Sequence, residues 1–288
     1  MRLFPLSILF LSLTLAASLR CSAPSIQCPL IFDGRVPSTA IPTDFDSSTT
    51  WNPYNPSYVK GASLFWSEIL LFPPTPPSRF DTLPSTRAVE VTVSDDSIFM
   101  DQRGFRRAGL QFLADTNTGS PAAKGVVTLH FSVAQDVERP LNLTHEYLNV
   151  WHETAAYDAN QFNFQTGTII GQEGLPEKTW KLLDRNNQLM WSTPLVDDGS
   201  WQNFALTLDF DQNTIQVWYS GGGAPLTKQG DGILADLAGG GQYQIGILKK
   251  PTGTSDVVNS GYQASNLDEG QVYGGIFIED STGGCVSI

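Results

Sequence analysis

Short runs of alternating or continuously apolar residues recur along this chain, and glycine, proline, asparagine and aspartate separate them. Runs of this length between turn-forming residues are typical of β-strands. Apolar residues with the 3.6-residue period of a helix are scarce, so the sequence predicts an all-β protein. The predicted strands are residues 89–93, 126–133, 146–151, 161–166, 204–210, 214–219, 243–248 and 272–278.

So many short strands are usually accommodated by two sheets packed face to face. We therefore predict a single-domain β-jelly-roll sandwich with a concave substrate groove, while the pattern leaves the strand order open. Residues 24–288 are predicted to form this one domain, because no low-complexity linker interrupts residues 64–288. The proline-rich segment 71–84 contains Phe72, Phe80 and Leu83, and we expect a loop held against the body of the domain.

The first residues have the features of a secretory signal peptide. Arg2 precedes an apolar run, residues 3–15, and small residues follow where a peptidase could cut. We predict that residues 1–23 are removed and that the mature chain is extracellular. This removal takes away two arginines and no acid, so the formal charge changes from -12 to -14. A charge of this sign argues against nucleic acid and anionic membranes as partners.

Cysteine usage agrees with export. Cleavage after residue 23 would remove Cys21 and leave an even pair, Cys28 and Cys285, for which we predict a disulfide between the first and last strands of the mature chain. Asn142 begins the sequon Asn-Leu-Thr, so we predict N-glycosylation at an exposed strand edge.

Reactive side chains are densest in residues 139–164, which hold two of the three histidines and two glutamates. A carboxylate beside aromatic rings on an exposed sheet face is what a carbohydrate site needs, because carboxyl groups move protons at the glycosidic oxygen. An ordinary amphipathic strand is the alternative interpretation. In a regular strand, one face would carry Thr144, Glu146, Leu148, Val150 and His152, and the other would carry His145, Tyr147, Asn149, Trp151 and Glu153.

The sequence offers no pattern for a metal or a nucleotide cofactor. His145 and His152 are seven residues apart, with no third histidine or cysteine nearby, so no metal site is predicted. The glycine-rich runs lack the context of phosphate-binding loops, and we expect no cofactor.

Several segments, in the same order, resemble fungal glycoside hydrolase family 131, which consists of secreted β-glucanases with a β-jelly-roll catalytic domain. The resemblance spans nearly the whole mature chain. The segments that carry it are CPLIFDGRVP at Cys28, NPYNPSYVKG at Asn52, ILLFP at Ile69, VEVTVSDDSIF at Val89, GFRRA at Gly104, RPLNLTHEYLNVWHE at Arg139, NQFNFQTG at Asn160, WQNFALTLDF at Trp201 and YGGIFIEDS at Tyr273.

The resemblance implies hydrolysis of β-1,3-, β-1,6- and β-1,4-linked glucans by two carboxyl groups in the groove, with inversion. The glutamate of the family's His-Glu-Tyr motif corresponds to Glu146, which we predict to be catalytic. The residues predicted to bind substrate are Arg107, His145, Tyr147, Trp151 and His152.

The second glutamate of the family follows an Arg-Arg-Ala sequence, and here Gly109 stands at that position. The chain therefore departs from the family pattern at a presumed catalytic carboxyl. Glu153 would need a bulge to reach the face of Glu146. The acids that precede the Arg-Arg pair are the better substitutes, and the sequence does not choose among Glu90, Asp95, Asp96 and Asp101.

Two further interpretations remain open at this point. A non-catalytic glucan-binding protein would keep the fold and the aromatic groove but lack one carboxyl, because of Gly109. A polysaccharide lyase would need a basic groove for uronates, which the acidic charge disfavours. The predicted partner is a β-glucan polysaccharide, and we expect a monomer.

Overall fold

The computed structural model describes residues 26–48, 51–82 and 84–288. The predicted signal peptide, Cys21 and Leu83 lie outside them. We number the strands of the described residues β1 to β17 along the chain, and all their pairings are antiparallel. The helical segments within these described ranges are one short α-helix, Trp66–Ile69, and the 3-10 turns Pro42–Asp46, Pro121–Ala123 and Thr282–Gly284. None of these helices has the length and apolar character needed to cross a membrane.

The larger sheet has nine strands, with β17 and β7 side by side near its middle. Its strands are β1 (Leu30–Asp33), β3 (Leu70–Leu71), β5 (Val89–Ser94), β7 (Val126–Gln135), β12 (Gln202–Asp209), β13 (Thr214–Gly221), β14 (Thr227–Lys228), β15 (Ile233–Leu234) and β17 (Asp268–Asp280). Its main path runs β14-β13-β12-β7-β17-β5-β3, with β1 beside β17 and β15 beside β13.

The second sheet has six strands in the order β11-β10-β9-β8-β16-β6. They are β6 (Arg106–Leu110), β8 (Glu146–Glu153), β9 (Asn160–Gly167), β10 (Thr179–Asp184), β11 (Leu189–Pro194) and β16 (Gln242–Lys249). A small third sheet pairs β2 (Val36–Pro37) with β4 (Thr86–Arg87).

The core lies between the two large sheets and is rich in aromatic rings. Phe164 of β9 contacts Phe131 and Phe204 of the nine-stranded sheet, with ring centroids 5.0 and 4.7 Å apart, and stacks on Trp180 at 5.0 Å. Both sheets thus bury one face, and this confirms the all-β jelly-roll sandwich predicted from the sequence.

All eight predicted strands are present, and β12 and β13 form an antiparallel hairpin. Phe80 of the proline-rich segment is buried against Phe277, so that segment is indeed held to the body. The disulfide between Cys28 and Cys285 is formed. The expected last strand is wrong, because the chain makes a 3-10 turn at Thr282–Gly284 before Cys285.

Candidate active site

The strand that carries the predicted site contains a bulge. Leu148 and Val150 of β8 pair with consecutive residues of β9, so Asn149 is an extra residue there. Val150 packs in the core, whereas Leu148 and Trp151 form a separate cluster with Leu248 on the other side of the sheet. The regular alternation expected for residues 144–153 is therefore wrong beyond Leu148.

The bulge changes which predicted residues share a face. Glu146, Leu148, Trp151 and Glu153 lie on the outer face of the six-stranded sheet, the face directed away from the core. His152 lies on the opposite side of the strand from Glu153 and contacts the core ring of Tyr243, 4.2 Å between centroids. Glu146 and Glu153, which the alternation separated, are thus on one face.

Two residues predicted to bind substrate lie in the interior instead. Tyr147 is a core residue whose hydroxyl donates to Glu269 Oε2 at 2.8 Å, and His152 is fully buried beside Gln161. Burial lowers the pKa of His152 to about 4, so the ring is neutral near neutral pH. Both side chains therefore pack between the two sheets. The alternation of side chains along the strand directs Tyr147 inward, and the bulge at Asn149 directs His152 inward.

The carboxyl group of Glu146 is held at both oxygens. Its Oε1 accepts from Lys250 Nζ at 2.5 Å, and its Oε2 accepts from the backbone N–H of Ile170 at 2.9 Å. His145 supports this arrangement, since its Nδ1 contacts the carbonyl oxygen of Lys250 at 2.8 Å. His145 is buried, and burial lowers its pKa. It therefore fixes the segment that carries Lys250.

A cavity of about 350 Å³ opens beside Glu146. Its lining residues are Thr144, Glu146, Thr168, Ile170, Glu173, Pro251, Thr252, Gly253 and Thr254. Glu173 was not predicted from the sequence. It belongs to a loop, where no alternation of side chains between two faces indicates which way a residue points. The pocket therefore contains two carboxyl groups.

Adjacent backbone amides hold these two carboxyl groups. The N–H of Ile170 donates to Glu146 Oε2 and the N–H of Gly171 donates to Glu173 Oε1, each at 2.9 Å. Consecutive amide nitrogens are close neighbours in any peptide, so the two oxygens are at most about 10 Å apart. This upper limit admits both the spacing of about 6.5 to 9.5 Å that inverting glycosidases use and the spacing of about 5 Å that retaining ones use.

A second polar cluster occupies the same face at the other end of β8. Gln244 of β16 connects its members, because its Nε2 donates to Glu153 Oε2 at 2.5 Å and its Oε1 accepts from Arg107 at 2.9 Å. The guanidinium of Arg107 also lies 5.6 Å from the ring centroid of Trp151. Burial raises the pKa of Glu153, and Arg107 opposes that change. Arg107 and Trp151, both predicted to bind substrate, are thus on the outer face but buried.

Gly109 lies within this second cluster. A Cβ atom there would be 3.4 Å from Gln244 Oε1, 3.5 Å from Val59 Cγ1 and 3.6 Å from Trp151, which are ordinary contacts. The side chain absent at position 109 would therefore project onto the outer face beside Gln244.

The carboxyl groups of the two clusters, Glu146 and Glu153, are too far apart to act as one acid/base pair. Glu146 and Glu153 are seven residues apart on one strand, roughly 20 Å along it. The other carboxyls considered from the sequence are elsewhere: Glu90 of β5 forms an ion pair with Arg139 at 2.9 Å, and Asp95 accepts from the backbone of Asn266 at 2.8 Å. Asp96 and Asp101 are exposed.

Asn142 is exposed just before β8, as a glycosylated residue must be. In the part of the chain that the structure describes, no three histidine, cysteine or acidic residues form a group that could hold a metal.

Comparison with known proteins agrees with this architecture. Residues 30–284 match the family described as Glycoside hydrolase 131 catalytic N-terminal domain. A GH131 β-glucanase catalytic domain from Podospora anserina has the same fold, with 22% identity, a TM-score of 0.70, and 90% of this chain and 97% of that chain covered. The catalytic domain of a family 131 protein from Coprinopsis cinerea gives 22% identity, a TM-score of 0.67 and the same coverage. No curated protein sequence matches. The chain belongs to glycoside hydrolase family 131 and spans the family's catalytic domain.

Proposed function

We propose that this protein is a secreted β-glucanase that hydrolyses β-1,3-, β-1,6- or β-1,4-linked cell-wall glucans in the cavity beside Glu146, with inversion. The observation that carries the proposal is the pair of carboxyl groups, Glu146 and Glu173, in one open cavity. Their separation of at most about 10 Å is compatible with the roughly 6.5 to 9.5 Å between the carboxyl groups of an inverting glycosidase.

The proposed roles follow from the surroundings of each carboxyl. Glu173 is exposed, and backbone hydrogen bonds from its own amide and from Gly171 lower its pKa, so it is ionised and suited to take a proton from water. Glu146 is buried deeper and would protonate the departing glycosidic oxygen. Lys250 has to leave Glu146 Oε1 before that oxygen can donate, and an entering sugar hydroxyl would replace it.

In this reaction the attacking water forms a bond to the anomeric carbon and gives its proton to Glu173. The bond from that carbon to the glycosidic oxygen breaks as the oxygen receives a proton from Glu146. One product has a new reducing end of inverted configuration and the other has a free hydroxyl. The two carboxyl groups exchange one proton through solvent afterwards.

An extracellular site of action suits several features of the chain. The disulfide between Cys28 and Cys285 is typical of oxidising compartments. The acidic charge of the chain suits a neutral polymer such as β-glucan as partner.

A second candidate function is glucan binding without cleavage. Both oxygens of Glu146 have partners in the structure, and Gly109 stands where the family resemblance implies a glutamate. These two observations would also describe a protein that keeps a sugar-binding cavity and has lost hydrolysis.

The experiment is reducing-sugar release from laminarin, pustulan and a mixed-linkage glucan. Wild type is compared with Glu146→Gln, Glu173→Gln and the control Glu138→Gln, which alters an exposed glutamate in the loop before β8. We expect both cavity variants to lose at least a hundredfold in kcat, since removal of an acid or base typically costs about 10² to 10⁴, and the control to retain full activity.

Wild-type binding to these glucans with no release of sugar would replace the hydrolase proposal with the binding one. Loss in Glu146→Gln alone would remove Glu173 from the mechanism. Proton NMR of the first product decides the stereochemistry, and a β-anomer would contradict inversion.

A further inference from the structure

We propose that Lys181 of β10 is a positioning residue of the candidate active site. Its buried ammonium group holds the end of the loop of residues 168–178, here named the cavity loop, and thereby sets the place of Glu173 relative to Glu146. The effect on catalysis rests on the proposed function, whereas the hold on the loop rests on the contacts of Lys181 themselves.

The cavity loop connects β9 to β10 and carries the donors that reach both carboxyl groups of the cavity. The N–H of Ile170 donates to Glu146 Oε2 and the N–H of Gly171 donates to Glu173 Oε1, each at 2.9 Å. Glu173 itself belongs to the loop and lines the cavity. A displacement of this loop therefore changes the surroundings of both carboxyl groups at once.

The two ends of the cavity loop lie side by side. Its beginning is fixed to the chain before β8, because the N–H and the hydroxyl group of Thr168 donate to the carbonyl oxygen of Leu143 at 2.9 and 3.0 Å. Its end returns beside the last residue of β9, where the N–H of Gly167 donates to the carbonyl oxygen of Glu177 at 3.1 Å. How firmly this end is held thus decides where the residues between the two ends lie.

The ammonium group of Lys181 lies at this junction. Its Nζ is 3.1, 3.2 and 3.5 Å from the carbonyl oxygens of Gly167, Thr179 and Glu177. Gly167 precedes the loop, whereas Glu177 and Thr179 are at its end, so one cation joins the two ends. A lysine ammonium group has three N–H donors, and the three carbonyl oxygens match that number.

Burial of this charge is costly, and no ion pair offsets the cost. Lys181 is 1% exposed, and among the described residues no carboxylate lies within ion-pair distance of its Nζ. Lys249 is as deeply buried but has Glu269 Oε1 at 2.6 Å. An apolar side chain would serve folding at least as well as an unpaired buried cation, so Lys181 points to a functional use.

The charge of Lys181 is sensitive to alkaline pH. Burial lowers its pKa to about 8, although the negative charges of Glu146 on β8 and Glu177 in the cavity loop oppose that change. The neighbouring strands β9 and β11 pair Gln165 and Ser192 with it, and neither side chain titrates. Above pH 8 the neutral amine has two N–H donors for three carbonyl oxygens, so the hold on the loop weakens.

Limited proteolysis with trypsin measures this hold without any substrate. Trypsin cleaves after lysine, and Lys178 is exposed at the end of the cavity loop, whereas Lys124, exposed in the turn before β7, serves as the internal reference. The test variant is Lys181→Met, which removes the charge. The matched control is Thr166→Val, which removes a neutral hydrogen bond of 2.8 Å to the same carbonyl oxygen of Thr179.

Cleavage at a loop follows the population of its open form. Because hydrogen bonds from a charged donor are stronger than neutral ones, Lys181→Met should raise cleavage after Lys178, relative to Lys124, about tenfold or more, and Thr166→Val about threefold. In wild type the ratio should rise severalfold from pH 7 to pH 9, and in Lys181→Met it should be the same at both values. The wild-type comparison needs no variant, so it holds even if Lys181→Met fails to fold.

Kinetics on the glucan that wild type hydrolyses fastest measure the effect on catalysis. A misplaced catalytic group can cost about a hundredfold in rate, so Lys181→Met should lower kcat at least about tenfold. Its KM should stay within about twofold of wild type, because Lys181 does not line the cavity. Its Tm should be no lower than that of wild type, since methionine avoids the cost of burying a charge. A residue with only a structural role would lower Tm and leave kcat unchanged.

Cleavage after Lys178 that stays within about twofold of wild type in Lys181→Met, or rises no more than in Thr166→Val, would overturn the proposal. A wild-type cleavage ratio that is constant between pH 7 and pH 9, or a loss in KM rather than in kcat, would do so as well. If wild type hydrolyses no glucan, the proposed function fails, and proteolysis still decides whether Lys181 holds the cavity loop.

Discussion

Two glycines that face each other in the six-stranded sheet should respond oppositely to the same substitution. Gly109 of β6 and Gly246 of β16 are direct neighbours in the antiparallel register. We predict that Gly109→Ala stabilises the protein and that Gly246→Ala destabilises it. The comparison tests whether the outer face has room for a side chain at position 109.

The expected magnitudes follow from the space at each site. A Cβ at position 109 has no contact shorter than 3.4 Å, so alanine there should add about 0.4 to 1 kcal/mol by restricting the unfolded chain. A Cβ at position 246 would be 2.1 Å from the carbonyl oxygen of Ala108 and 2.8 Å from the Cα of Gly109. Backbone has to move to relieve that overlap, at a cost of about 1 to 3 kcal/mol.

Equilibrium unfolding in urea measures both effects, provided the m-values of the variants agree with that of wild type. The unfolding free energies of the two variants should differ by about 2 kcal/mol or more. If Gly109→Ala proves as destabilising as Gly246→Ala, there is no open space at position 109. The inference that a side chain at this position can project onto the outer face would then be refuted.

Four further predictions concern single groups. Gly109→Glu should raise glucan hydrolysis if the departure from the family pattern limits activity, and unchanged reducing-sugar release would refute this. Burial raises the pKa of Asp115 to about 6, so the folded protein retains a proton that the unfolded chain releases. The unfolding free energy should fall by about 2 kcal/mol as pH rises from 4 to 6, and Asp115→Asn should remove that slope in urea titrations at each pH. Cys285→Ser, compared by the same titrations, should cost about 5 kcal/mol, because the disulfide closes a loop of 257 residues. Asn142→Gln should lower the mass of protein secreted from a eukaryotic host by one N-glycan, and an unchanged mass spectrum would refute glycosylation there.

The fold could be predicted because its strands are marked locally. Each predicted strand lies between turn residues and has an apolar pattern, and the eight of them are five of the nine strands of the larger sheet and three of the six strands of the second. Strands β6, β10 and β11 were not predicted. The short β6 contains two arginines and a glycine, and β11 has no buried residue because it is an edge strand.

The site was only partly predictable, for reasons that depend on contacts far apart in sequence. Glu146 could be placed on a strand, but its partners Lys250 and Ile170 come from loops. Glu173 enters the cavity through a loop whose path no local pattern specifies. The disulfide was predictable because removal of the predicted signal peptide leaves only two cysteines.

The bulge at Asn149 shows why face assignments fail even in a strand with correct bounds. Asn149 is fully buried, its carbonyl oxygen accepts from the hydroxyl of Tyr273 at 3.0 Å, and its side-chain amide is directed at Gln271, 3.4 Å away. Both partners belong to β17 of the other sheet, more than 120 residues along the chain. A polar residue that forms hydrogen bonds across the core through its backbone carbonyl oxygen and its side-chain nitrogen can displace the strand by one position. Because side chains alternate with a period of two, that single displacement moves Glu153 to the face of Glu146 and His152 into the core. The composition of the proposed sugar-binding face is therefore set by β17, a strand that contributes no residue to it.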